Sequence, residues 1–305
     1  MAPAEPIAPW PTLPVADWQD TRDTLHLWTQ VVGKVKLART PLVNHWWNVT
    51  FYVTDRGLTT GAMPGGPGGA FQIDFDLVDH RLRIGRADGA GTEVALEPRS
   101  VADFYAEVVA RLDELDLTTP IWTMPVEIVG AIPFTDDHDH ASYDAGLVEG
   151  FHRALVDMDR VFHRFRAGFV GKCSPVHFFW GGFDHAVTRF SGGTAPPHPG
   201  SAPNCGPHVM REAYSHEVSS AGYWPGGSDE GTFYSYAYPE PPGYADWEDL
   251  PEGAWYHTEL GEFVLPYATV RAADDPDALL ADFLQRTYVA AADLAGWDRA
   301  ALEHA

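Results

Sequence analysis

Between Lys172 and Gly193 the chain runs KCSPVHFFWGGFDHAVTRFSGG, a stretch that restricts its possible folds more than any other. Two histidines, an aspartate, an arginine and a lysine stand there among five aromatic side chains. A segment this apolar requires burial, and burial desolvates its ionisable groups, the condition met in binding and catalytic pockets. Its Gly181-Gly182 pair, set between aromatic runs, signals a two-residue β-hairpin. In that hairpin Trp180 stands opposite Phe183, Phe179 opposite Asp184 and Phe178 opposite His185. If the strand instead runs straight through with a bulge, His177, Phe179, Phe183 and His185 share one face.

Hydrophobic periodicity extends the pattern along the chain. Helical spacing covers Trp18 to Leu37, a stretch opened by Ser100 that runs to Leu115, and a segment from Asp275-Pro276 through Tyr288. In the clearest helix Leu147, Phe151, Leu155, Met158, Phe162, Phe165 and Phe169 recur every three or four residues. Strands are expected over residues 42–54, 71–77, 82–84, 94–96, 121–129, 214–223, 232–238, 255–258 and 262–270, besides the aromatic segment. The fold class is therefore α+β, antiparallel sheets with packed helices. His45-Trp46-Trp47 followed by Phe51 aligns without gaps on His177-Phe178-Phe179 followed by Phe183. Two readings stand: chance similarity, or two related ββββα halves (40–118 and 172–296) linked by a strand at 121–129 and a long helix at 145–169.

Composition narrows the class. With 45% hydrophobic residues the 305-residue chain can bury one substantial core, a single compact unit over 1–305. A formal net charge of −23, without a basic stripe, argues against a nucleic-acid partner. No window approaches about 18 consecutive apolar residues, so no membrane span is expected. Two cysteines outside any CxxC pair, and a beginning without the parts of a secretory signal, point to the cytoplasm.

Candidate chemistry gathers in three places. In the aromatic segment His177 and Asp184 supply acid–base groups, and Lys172 and Arg189 flank them as clamps for a carboxylate or phosphate. Trp180, with His45 and Trp47 of the first half, would face the ligand; ordinary core packing and salt bridges are the plainer use of all these residues. The second place is Tyr214-Ser215-His216-Glu217. On a strand Ser215 and Glu217 point one way and His216 the other, which leaves no Ser–His relay within the triplet. The HExxH pattern fails because its fifth position is Ser220, so His216 remains a general acid or base, or one ligand of a composite metal site. The third is Asp136-Asp137-His138-Asp139-His140, dense in metal-ligand types, with His138, His140 and His185 as metal candidates. A solvated loop favouring a helix N-terminus is its plainer reading. Aromatic residues from Tyr234 to Trp255 offer a stacking platform for a sugar or planar ligand, or simple core packing.

The stretches LHLWTQVVGKVKLA from Leu25, NHWWNVTFYVT from Asn44, GKCSPVHFFWGGFDHAVTRFSGG from Gly171, YSHEVSSAGYWPGG from Tyr214 and FYSYAYPEP from Phe233 are together specific. On them the chain resembles, over nearly all its length, a bacterial family of chains of similar length known only as a domain of unknown function. The resemblance implies an arginine where this chain has Gly193, which counts against anion binding at that turn. It implies a single cytoplasmic unit and brings no established reaction, cofactor or catalytic residue. The expectation is an enzyme acting on a small polar or anionic molecule by histidine and carboxylate acid–base chemistry, or with a metal's help. His177 and His216 would be acid and base, with Glu217 or Asp184 orienting a histidine. The rival is a non-catalytic small-molecule binding protein with an aromatic-lined pocket.

Overall fold

A computed structural model describes residues 10–66 and 69–304. Its element order opens with α1 (Val15–Arg39), followed by the strands β1 (Tyr52–Thr54), β2 (Gly57–Thr59), β3 (Met63–Pro64), β4 (Ala70–Asp76), β5 (Arg81–Arg86) and β6 (Gly91–Ala95). The helices α2 (Val101–Glu114) and α3 (Ala145–Ala167) separate these from β7 (His177–Phe179) and β8 (Asp184–Thr194). Then come α4 (Pro207–Ala213), β9 (His216–Trp224), β10 (Thr232–Tyr238), β11 (Trp255–His257), β12 (Glu262–Pro266), α5 (Tyr267–Ala272) and α6 (Pro276–Leu294). The class is α+β, with two antiparallel sheets: β1-β2-β4-β5-β6 with β3 paired to β4, and β11-β12-β10-β9-β8-β7.

Helix starts follow the capping residues. Ser100, Asp144 and Asp275 each accept a hydrogen bond from the backbone N–H three residues on, satisfying a donor the helix itself leaves free. The apolar stripe of α3 buries Phe151, Leu155, Met158 and Phe162 completely. Each such side chain contributes about 1.5–3 kcal/mol in lost contact with water. That stripe and α6 cover one face of the second sheet, where Val187, Ala221, Phe233 and Leu265 point inward. The sheets meet at their edges, where Phe51 and Phe178 exchange both backbone hydrogen bonds at 2.8 Å.

A hairpin forms around Gly181-Gly182, pairing Phe178 with His185 and Phe179 with Asp184, so His177 and His185 project to opposite faces. Its turn takes four residues in place of the two expected, Trp180 to Phe183, because Phe183 is left-handed and its N–H donates to the Phe179 carbonyl at 2.9 Å, so Trp180 and Phe183 do not pair across the strands. Two expected strands are corrected. Residues 121–129 stay irregular because Gln30 of α1 takes both backbone groups of Val126, its amide donating to the carbonyl at 2.8 Å and its oxygen accepting from the N–H at 2.9 Å. Only Tyr52–Thr54 of the expected strand at 42–54 is extended, since Asn44–Trp46 forms a 3-10 turn with His45 and Trp46 left-handed. The alignment of His45 with His177 thus sets a helical turn against a strand. Pro266 ends β12 early and α5 follows, because proline fixes φ and removes a ladder donor. Among the described residues no helix is long and apolar enough to cross a membrane.

Candidate functional site

Strand alternation gives the second sheet a helix-covered face and an open one. The open face carries Asp184, Ala186, Thr188 and Phe190 of β8, Ser220 and Gly222 of β9, Tyr234 and Tyr236 of β10, and Glu262 and Val264 of β12. Two hollows lie over it. One, of about 460 Å³, is bordered by the His45–Trp47 turn, residues 126–127 and α4 with the loop before it. The other, of about 530 Å³, is bordered by Trp224 and Trp255. Asp184, Tyr234 and Tyr236 line both.

Gly222 makes this floor possible. A Cβ there would overlap the Tyr234 hydroxyl, so the bare backbone lets the phenol lie across β9. From that position Tyr234 donates a 2.5 Å hydrogen bond to Asp184 Oδ2. Gly181 plays the same part for Glu127, whose carboxylate occupies the space a Cβ would need. Both carboxylates approach one point in front of Gly182, Asp184 Oδ1 to 2.9 Å and Glu127 Oε2 to 3.5 Å of where its Cβ would be. Glu127 is exposed to solvent and lines the first hollow.

Burial governs the protonation of this group. It pushes the Glu127 carboxyl up to about 7, with the Asp184 charge adding to the effect. Glu262 is likewise pushed up to about 7, first by burial and then by Asp184. Burial also raises Asp184, opposed by the hydrogen bond from Tyr234. His177, 1% exposed on the cavity wall, is lowered to about 3 by burial, which keeps its ring neutral. Neither of its nitrogens has a hydrogen-bond partner among the described residues. A neutral imidazole offers one donor and one acceptor, and both stand open here.

Backbone strain concentrates around the same cavity. Seven non-glycine residues among those described have positive φ, and His45, Trp46 and Glu127 of these line the hollow at 56°, 61° and 62°. Phe183 and Asn204 adjoin it in sequence, each next to a lining residue. For a side chain as bulky as Trp46 this is an outlier that surrounding contacts must enforce. The enforcing contacts come from α4 and its preceding loop. Trp46 Nε1 donates to the Val209 carbonyl at 3.0 Å, the His45 N–H to Glu212 Oε1 at 3.0 Å, and the Glu127 N–H to the Pro203 carbonyl at 2.8 Å.

The model of a family of unknown function (DUF5996) matches residues 10–304. The chain belongs to that family. No curated protein and no solved structure matches it.

In this DUF5996 member the residues singled out from the sequence divide among several places. His177, Asp184, His45, Trp47 and Trp180 all line the first hollow. Lys172 stands behind His45, its Nζ 2.6 Å from His45 Nε2, while His45 Nδ1 lies 3.0 Å from the Ala213 carbonyl. That arrangement makes Nδ1 the donor and Nε2 the acceptor, a neutral ring; burial, then the nearby Lys172 charge, lowers its proton affinity. His216 lies against His45, with ring centroids 5.6 Å apart, and does not itself line the cavity. His177 is level with Gly222 across the sheet, six residues of β9 from His216, about 20 Å at the usual strand rise. The two histidines therefore do not share one reaction centre.

Five of the assignments change. Arg189 points to the covered face, where its guanidinium donates to the Phe165 carbonyl and sits 3.5 Å from the Phe165 ring centroid and 4.3 Å from that of Tyr288. It cannot clamp a ligand in the cavity. His185 is fully buried on that same face, stacked on Phe162, with Nε2 3.2 Å from Asp159 Oδ1, inside ion-pair range though off hydrogen-bond alignment. Glu217 accepts from Ser191 Oγ at 2.6 Å and does not line the cavity. Ser215 Oγ donates to the Glu212 carbonyl and lies 3.0 Å from His216 Nδ1, so the imidazole N–H donates to the hydroxyl, the reverse of what a serine nucleophile needs. His138 and His140 belong to a turn organised by buried Asp137, which contacts His140 Nδ1 at 2.9 Å. Among the described residues no three His, Cys, Asp or Glu side chains gather as a metal ion requires. Glu127 and Glu262 escaped the sequence reading: Glu127 lies in a segment expected to be a strand, and Glu262 carries only strand alternation as a signal. Tyr234 figures in it only as part of an aromatic stacking platform.

Proposed function

We propose that the protein binds a small polar molecule in the first hollow and moves a proton on it, with Asp184 and Glu127 as the acid–base pair and His177 as a neutral hydrogen-bonding group. One observation carries this: three ionisable side chains, each held toward its neutral form by burial, converge on a largely apolar cavity of about 460 Å³. A carboxyl that titrates near 7 is matched to proton transfer at neutral pH. His177 titrates too low to serve as a base and suits a fixed donor–acceptor role, and His216 stands too far along the sheet to act with it. Strained backbone at His45, Trp46 and Glu127 supports a preorganised site.

A thermal-shift screen against metabolites, followed by mass spectrometry of each hit for turnover, tests this reading. Asp184→Asn should abolish turnover while binding persists, and His177→Ala should weaken binding roughly tenfold through loss of buried hydrogen bonds. A ligand whose stabilisation is indifferent to both substitutions overturns the reading. Parallel loss of binding in both variants, with no product from the wild type, removes the catalytic half and leaves a binding protein.

A further inference from the structure

The second hollow has walls of a distinct chemistry. Trp224 on β9 and Trp255 on β11 border it across β10 and β12, three strand spacings or about 14 Å apart. Between them Tyr234 and Tyr236 supply aromatic faces, stacked with ring centroids 6.1 Å apart. Both tryptophans are nearly half exposed, at 45% and 46%, although large aromatic side chains ordinarily seek burial. No lysine or arginine lines either hollow. Three carboxylates do: Glu127 in the first, Glu262 in the second and Asp184 in both.

Among the described residues none of these three carboxylates belongs to an ion pair, in a molecule whose arginines are otherwise widely paired. Gathering unpaired carboxylates in a partly desolvated place costs free energy that a bound cation would offset. A compact metal ion is a poor fit, because it needs ligands converging within about 2.0–2.6 Å and no such trio exists among the described residues. An organic cation with diffuse charge fits better, since its positive face is attracted both to carboxylates at a distance and to aromatic rings. Two further features point to a ligand independently of charge. Among the described residues Thr232, 9% exposed on the wall of the second hollow, has a hydroxyl without a partner, and both ring nitrogens of His177 are free in the first.

We infer that the ligand carries an organic ammonium group, and that this group sits at the seam of the two hollows, between Asp184, Glu262 and the faces of Tyr234, Tyr236 and Trp255. The inference rests on the cavity being a small-molecule site and adds its charge class. It replaces the anionic substrate expected from the sequence, since Arg189 lies across the sheet.

The test is calorimetric titration with benzyltrimethylammonium, using benzyl alcohol as the neutral aromatic control. The cation should bind saturably and roughly tenfold tighter than the alcohol, and Trp255→Ala, at a position exposed enough to spare the fold, should cost it several-fold. Glu262→Gln combined with Asp184→Asn should weaken the cation roughly tenfold and leave the alcohol unchanged. Equal affinity for the two probes, or cation binding indifferent to the paired substitution, overturns the ammonium assignment. If the cation fails while some screened metabolite still shows His177-dependent stabilisation, only the charge class is wrong. If both fail, the small-molecule reading falls with it.

Discussion

Single side chains show how far environment overrides chemical type. Arg189 and Lys172 frame the same aromatic segment, yet one is a core residue and the other the partner of His45. Arg189→Ala should therefore lower stability by about 2–5 kcal/mol, the range for truncating a large buried side chain, while ligand affinity of the folded fraction stays the same. Urea melts and titration of one ligand check both halves, and a lost ligand with unaltered stability would contradict the core role. Protonation carries a second prediction. Glu127 and Glu262 have folded values near 7, above the ordinary 4.5, so the stability they contribute is present below about 4.5 and lost as pH rises through about 7. His177 is depressed from 6.5 to about 3, so its contribution is present above 6.5 and lost as pH falls toward 3. Glu127→Gln with Glu262→Gln should flatten the decline between pH 5 and 8, and His177→Gln the decline on the acid side, in urea melts across pH. Parallel curves for variant and wild type would refute these assignments.

Among the elements, α1 acts on the site from outside the sheet that carries it. Its fully buried Gln30 grips both backbone groups of Val126, and the left-handed Glu127 follows directly. His26, one turn earlier, reaches the Gly181 carbonyl at 2.9 Å, so the hairpin turn and the Glu127 loop hang from one helix face. Gln30→Ala should cost about 1–3 kcal/mol for backbone groups left unpaired and speed hydrogen exchange at Val126 and its neighbours. Exchange unaltered there would show that the loop is held by other contacts. The capped helices and the Gly181-Gly182 hairpin were legible in sequence because their signals are local: a capping side chain three residues from its partner, a pair of glycines, a repeat every three or four residues. Residues 42–54 and 121–129 misled because their aromatic and β-branched composition matched a strand. Tertiary partners, Glu212 and Val209 in one case and Gln30 in the other, decided their backbone.

Across the whole molecule, the site exists because two sheets joined by the Phe51 and Phe178 backbone pair leave one face of the second uncovered by the long helices α3 and α6. The residues over that face come from positions 45–49, 126–127 and 202–214, brought together only by the chain's return. Sequence alone determined the α+β class and the capped helices, and it offered the hairpin, with Phe179 opposite Asp184, as one of two readings, because each follows from interactions within one turn or one register step. It also marked His177, Asp184, His45, Trp47 and Trp180, since ionisable and aromatic residues side by side imply desolvation wherever they fold. Tertiary structure decided which face of each strand met the cavity and placed Glu127 beside Asp184. It sent Arg189 and His185 to the covered face and set His216 far along the sheet from His177. The reason is that strand parity assigns side chains to two faces without saying which one the helices will cover. That choice is made by long-range packing, as when the apolar stripe of α3 settles on one side and leaves the carboxylates on the other.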